Sequence, residues 1–273
     1  MPLRTYTKTG DFTGAIEIIK SDYIREMIAK GEREDKRGAM DYRKIEIKTG
    51  VIDHAEGSAQ VDMGNTRVLA GAKIVVDDVH SDTPDQGNIV VSAELLPLAA
   101  AEYEAGPPSP EAIELARVVD RGIRAGNCIK LEDLFLEEGK AWTVYVDVYV
   151  LNYDGNLFDA STLAAMAAIA NSRLPTYKDG VADYKERNTP INVNNIVASC
   201  TFAKIGNAIV LDPSGVEESA MDARLTIATD GKSVRAMQKG LKGSFTLKEI
   251  EELVDAAIEK HKELAAHIEK AKR

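Results

Sequence analysis

Cysteine is almost missing from this chain. Its two cysteines, Cys128 and Cys200, belong to no CxxC pair and cannot build a disulfide framework, so each is expected as a small core residue rather than a reactive thiol. The four histidines are scattered without HxxxH or HExxH spacing, which removes the usual ligand patterns for a transition metal; no metal and no other cofactor is expected. There is no P-loop and no GxGxxG run after a strand, so a nucleotide-dependent small-molecule enzyme has no motif to stand on. No apolar run approaches the roughly 18 residues that cross a bilayer. Residues 1–14 lack the apolar stretch of a secretion signal. The expected address is the cytoplasm, with no membrane partner.

Positive charge is also in deficit. Lys and Arg total 34 against 44 Asp and Glu, a net charge of −10. A surface of that sign does not take up polyanions indiscriminately. A local basic track is still allowed, because exposed charges more than about 8 Å apart are largely screened at physiological salt. RNA, if bound, therefore needs a concentrated arginine cluster.

What is present is an ordinary globular balance of 44% hydrophobic and 29% charged residues in 273. That length allows one large domain or two lobes. The first twenty residues are polar and read as a loose arm, followed by a short helix from Ser21 to Gly31. Period-two alternation then predicts strands over 43–49, 57–63, 66–76 and 89–96, with Gly64-Asn65 as a tight turn. The clearest alternation lies over 143–151, where Val144, Val146, Val148 and Val150 share one face.

Helices punctuate the strands. Ser109-Pro110 opens one that runs to about residue 124, an alanine-rich one covers 160–171, and a third runs from Leu247 to about residue 270. Thr246 and Glu249 form a capping box for the third. His261 falls on its apolar stripe and is read as packing. Residues 176–195, rich in Lys, Asp, Asn and Pro, read as a linker. Strands over 196–203, 208–212 and 223–229 and a segment over 233–239 follow it. The economical picture is α+β: an arm and short helix over 1–30, one lobe over 31–175, the linker, and a second lobe over 196–273.

The helix from residue 110 carries a distinctive face. At about 100° per residue, Arg121 lies roughly 40° and Arg124 roughly −20° from Arg117. Ala112, Leu115, Ala116, Val119 and Ile123 fall on the opposite arc. Guanidinium forks one turn apart are separated by about 5–6 Å, close to a single-strand phosphate step. Geometry alone favours the plainer reading, a solvated face paired with Glu114 and Asp120.

At this point the sequence resembles a known family. The run Glu114-Leu-Ala-Arg-Val-Val-Asp-Arg121 is similar to the corresponding helix of exosome ring subunits of the RNase PH family. So are Gly57-Ser-Ala, Gly64-Asn-Thr, Asp82-Thr-Pro-Asp-Gln-Gly-Asn88, Glu94-Leu-Leu-Pro-Leu98, Asp212-Pro-Ser and Met221-Asp-Ala-Arg-Leu225. The likeness spans roughly residues 20–270 and is greatest to the archaeal subunit that pairs with the catalytic one.

It implies the RNase PH fold, two similar βαβ-type lobes with helices covering mixed sheets. It implies heterodimers with a catalytic RNase PH-like subunit, three of which close a hexameric ring carrying RNA-binding cap subunits. The catalytic subunit of such a ring degrades RNA from its 3′ end with inorganic phosphate. By the same resemblance Arg117 and Arg121 hold single-stranded RNA; Arg124 extends the row from the helical wheel.

The resemblance fails where chemistry would occur. Catalytic relatives hold phosphate in a Gly-Gly-Thr-Arg-like turn, whereas this chain reads Asp154-Gly-Asn-Leu-Phe-Asp159. Phe158 stands where the arginine should be, and Asp159 adds a negative charge expected to repel phosphate. A Gly-Glu-Ala-Asp-like run elsewhere supplies the acid, but here Arg224 takes that place. Phosphorolysis needs both a cradle for phosphate and an acid for the leaving oxygen, so the chain is expected to be non-catalytic. Glu218 and Asp222, four residues apart, could bind a divalent ion; pairing with Arg224 or a neighbouring chain is the plainer expectation. An active exoribonuclease with a rearranged site and a purely structural ring spacer remain the alternatives.

Overall fold

The computed structural model describes residues 12–272, with side chains from Lys20 onward. The expected arm therefore lies largely outside the described residues. Helix α1 (Phe12–Ala29) is longer than expected: Ser21 sits inside it rather than capping it. Ile24 and Ile28 of α1 are buried against Ala203, Ile205, Val210 and Ala220, and this docking supports turns that local capping signals do not mark.

Strands β1 (Ile45–Thr49), β2 (Gly57–Met63), β3 (Thr66–Asp78) and β4 (Asn88–Leu95) lead into helix α2 (Pro110–Ala125). A 3-10 turn at Leu131–Leu134 and the short β5 (Phe135–Glu137) precede β6 (Lys140–Asn152). The first sheet runs β1-β2-β3-β6-β4, with β5 on β6. Gly64 makes the β2–β3 turn at φ 58, with Met63 opposite Thr66. Val144, Val146, Val148 and Val150 are all buried, as the alternation predicts. The β4–β6 pair is parallel, so α2 is the crossover of a βαβ unit, and its packing back onto the sheet fixes which of its faces looks outward.

Helix α3 (Leu157–Ala170) lies beneath this sheet, buried from Phe158 to Ile169. Its alanines let backbones approach closely: a Cβ on Gly57 would come within 2.3 Å of the Ala168 carbonyl oxygen. The short strands β7 (Arg173–Leu174), β8 (Thr176–Lys178), β9 (Val181–Asp183) and β10 (Thr189–Pro190) follow. The linker segment is thus partly ordered, as a β8–β9 hairpin and a β7–β10 pair.

Strands β11 (Ala198–Ile205) and β12 (Ala208–Leu211), helix α4 (Gly215–Ala220), strands β13 (Ala223–Thr229) and β14 (Val234–Gly240), and helix α5 (Leu247–Ala271) complete the chain. The second sheet, β12-β11-β13-β14, is antiparallel throughout. It differs in this from the first, and α5 covers it without making a crossover. One core joins the two sheets through α3.

The Thr246–Glu249 capping box forms as expected, and the His261 ring bonds the Ile196 carbonyl at 2.9 Å. Both cysteines are buried, and burial pushes the Cys128 thiol up to about 12. Among the described residues no helix is long and apolar enough to cross a membrane.

Candidate nucleic-acid interface

Ser109 accepts from the Ala112 amide at 3.3 Å and starts α2 with proline in its first turn. Leu115, Val118, Val119 and Ile123 are buried, while Arg117, Arg121 and Arg124 are exposed. Burial of one face therefore orients the other. Arg117 and Arg121, with Ile113, Glu114 and Gln238, line an open cleft of about 590 Å³. Arg117 has no hydrogen bond or ion pair to any described residue. Arg121 gives one bond, to Gln238 Oε1 at 2.9 Å.

Arg124 does not join them. Its Nε is held by the Asp120 carboxylate at 3.0 and 3.1 Å, and its Nη2 by Asn88 Oδ1 at 3.1 Å and the Ile89 carbonyl. The helical wheel gave its angle but not the acceptors on the edge strand β4. Alanine at Arg124 is accordingly expected to cost under about 1 kcal/mol of stability, the range of an exposed ion pair, as read by urea melts.

The turn entering α3 is closed from within. Asn156, at φ 54, caps the helix and is fully buried. Its backbone N–H donates to Glu218 Oε1 at 2.9 Å, and Tyr153 Oη donates to Glu218 Oε2 at 2.5 Å. A helix N-terminus is a ready anion site, and here α4 fills it with the chain's own carboxylate. Burial pushes Glu218 above its usual range, against the pull of those donors and the nearby Arg224 and Arg43. The ring of Phe158 lies 4.1 Å beneath the Arg224 guanidinium. Arg224 in turn donates to Glu114 Oε1 at 2.7 Å.

Asp159 corrects the sequence reading. It does not present its charge to the turn; it is fully buried and faces the second sheet. Thr201 N and Oγ1 bond it at 2.9 and 2.7 Å, Asn156 Nδ2 at 2.9 Å and Tyr42 Oη at 3.1 Å. Burial raises its pKa to about 7 in spite of these donors. Between pH 4 and 7 the folded chain then holds a proton that the unfolded chain has released. Stability is therefore expected to fall as pH rises through that window, by roughly 1.4 kcal/mol per pH unit. Denaturant melts of wild type and Asp159→Asn across the window test this, because the difference between the two isolates the Asp159 contribution.

Glu218 and Asp222 are engaged by different protein groups. Asp222 takes a two-pronged contact from Arg25 at 2.8 and 3.0 Å and the Gly206 amide at 2.8 Å, with Arg25 holding its carboxyl below the usual range. Among the described residues no group of three or more His, Cys, Asp or Glu side chains is placed to hold a metal. The sequence reading also missed Arg33, Arg37 and Arg43. They leave the charged segment after α1 and converge on Glu217 and Asp212: Arg33 meets Glu217 at 2.6 Å, and Arg37 and Arg43 meet Asp212 at 2.7 and 2.8 Å.

Comparison with known proteins agrees with this architecture. Residues 41–175 match the first domain of the 3′ exoribonuclease family (RNase PH), and residues 195–260 match its second. The chain is 46% identical to the exosome complex component Rrp42 of Thermococcus gammatolerans, over 90% of this chain and 92% of that one. The Rrp42 of Methanothermobacter thermautotrophicus is 44% identical over 91% and 93%. Among solved structures, a chain of the Archaeoglobus fulgidus exosome with RNA bound to the active site superposes with a TM-score of 0.87 at 42% identity, covering 92% of this chain and 98% of that one. A chain of an archaeal exosome core gives 0.84 at 40% identity, covering 94% and 99%. With two sheets joined through one buried helix, and with this likeness over nearly its whole length, the chain belongs to the RNase PH family of 3′ exoribonucleases.

Proposed function

We propose that this chain is a ring subunit of an archaeal-type exosome that holds RNA without catalysing its cleavage. The observation that carries the reading is the pair Arg117 and Arg121, exposed on one face of α2 and lining a cleft while the opposite face is locked into the core. In this reading the chain pairs with a catalytic RNase PH-like subunit in the cytoplasm. Three such heterodimers close a hexameric ring, and cap subunits feed it single-stranded RNA. The arginine forks track successive phosphates and deliver the 3′ end to the partner's active site. Phosphate contacts fix the register of the strand and carry no base preference.

Three features support the absence of catalysis in this chain. Phe158 offers no charge to inorganic phosphate, Glu218 occupies the helix N-terminus where an anion would sit, and Arg224 replaces the acid. The purified chain alone is therefore expected to release no nucleoside diphosphates from RNA and phosphate, with release appearing when the catalytic subunit is added. Phosphate-dependent release by this chain alone would sink the reading.

A further inference from the structure

Phe158 and Arg224 touch each other, and the contact continues outward. The Glu114 oxygen that accepts from Arg224 also accepts from Gln238 Nε2 at 3.1 Å. Gln238 Oε1 then accepts from Arg121 at 2.9 Å. A line of contacts thus runs from the first turn of α3, across β13 and β14, to Arg121 on α2. The backbone makes room for it. Gly240 lies opposite Arg224 in the sheet, and a Cβ there would stand 2.8 Å from Arg224 Nη2.

The placement of Glu114 gives this line its electrostatic meaning. It precedes Arg117 by one helical turn on the same face, where an unpaired carboxylate would pair with Arg117 and oppose an approaching phosphate. Arg224 meets it from the side, with its own side chain only 13% exposed. A guanidinium that sheltered is screened less than one in open solvent.

We infer that Arg224 is a positioning residue for RNA binding. It neutralises Glu114 and, through Gln238, fixes Arg121, so that Arg117 and Arg121 face the strand with their charge uncancelled. The inference rests on the reading that this pair holds RNA, and it gives the arginine at the former acid's position a task.

The test is a mutant cycle in the ring assembled with its catalytic subunit, read by fluorescence anisotropy of a labelled single-stranded adenylate oligomer. Arg224→Gln is expected to weaken binding about three- to fivefold, the range of a partly exposed ion pair. Adding Glu114→Gln to it is expected to restore wild-type affinity. Glu114→Gln alone, which keeps an acceptor oxygen for Arg224 and Gln238, is expected to bind at least as tightly as wild type. Arg117→Ala with Arg121→Ala serves as the reference. If that double variant loses affinity while Arg224→Gln does not, the inference fails and the RNA-holding reading stands. A loss in Arg224→Gln that Glu114→Gln does not restore is a packing effect and also overturns it. Weaker binding by Glu114→Gln alone does the same. If the reference double variant binds normally, the underlying reading falls as well.

Discussion

Charge reversal of Arg117 and Arg121 together, in the assembled ring, is expected to lower affinity for single-stranded RNA by about two orders of magnitude or more. Each lost charge-assisted contact to phosphate is worth roughly 1.5–3 kcal/mol, and glutamate adds repulsion to the loss. The slope of log affinity against log salt is expected to shrink by about 1.4, from roughly 0.7 per single-strand phosphate contact. The two arginines are not equivalent in the free protein. Among the described residues Arg117 has no partner to release, whereas Arg121 must exchange its bond to Gln238. Arg117→Glu is therefore the more damaging single change. Both side chains are exposed, so thermal unfolding should stay within about 0.5 kcal/mol of wild type. A salt series by anisotropy reads the affinity and the slope together. Unchanged affinity and slope would leave the chain as a spacer in the ring without RNA contact.

The features legible in the sequence are those that physics makes local. The α2 face could be read because a helix repeats every 3.6 residues and Ser109-Pro110 marks its start. The β6 alternation could be read because a strand repeats every two. The substitutions at Phe158 and Arg224 stood out against the family's motifs, and both fall at the turn and strand that the fold brings together. That they touch could not be read, because the contact joins α3 to the second sheet. Asp159 was misread for a related reason: first-turn residues point in divergent directions, and only the arrival of β11 with Thr201 shows that this one turns inward. Helix α4, six residues long, is too short to print a period. Its Ser214–Glu217 capping box was a usable signal that went unused.

The charged segment after α1 carries no periodicity that would show where its side chains go. Arg33 and Arg37 find their carboxylates on the far side of the chain, at Glu217 and Asp212. Asp212 is fully buried. Its two oxygens accept from Arg37 Nη1, Arg43 Nε, Arg43 Nη2, the Arg43 amide and Asn156 Nδ2, all between 2.7 and 2.9 Å. Arg43 adjoins β1 of the first sheet and Asn156 caps α3 beneath it, while the acid follows β12 of the second. The cluster therefore joins the two sheets by charge, beside the apolar contacts of α3.

Asp212→Asn is accordingly expected to destabilise the chain by about 3–5 kcal/mol, the cost of removing one partner from a buried ionic cluster. The substitution is close in shape and tolerates the left-handed backbone, where Asp212 sits at φ 51, so cavity and strain contribute little. What it changes is charge and donor count: an amide NH₂ would face guanidinium donors while Arg37 and Arg43 stay sheltered and uncompensated. Burial alone would raise the Asp212 pKa, but the bond and charge of Arg43, with the charge of Arg37, hold it below the usual range. A depressed folded value stabilises above the unfolded pKa and is lost as pH falls through the folded one. The gap between wild type and variant should thus narrow as pH falls below about pH 4. Urea melts at several pH values measure it. Arg67→Ala is the control: its partner Asp62 lies 2.5 Å away, but Arg67 is 51% exposed, and the expected loss is under about 1 kcal/mol. Equal losses in the two variants would mean that Asp212 holds no more than a surface pair does. A large loss confined to Asp212→Asn would place much of this fold's stability in the buried charge cluster beside β12.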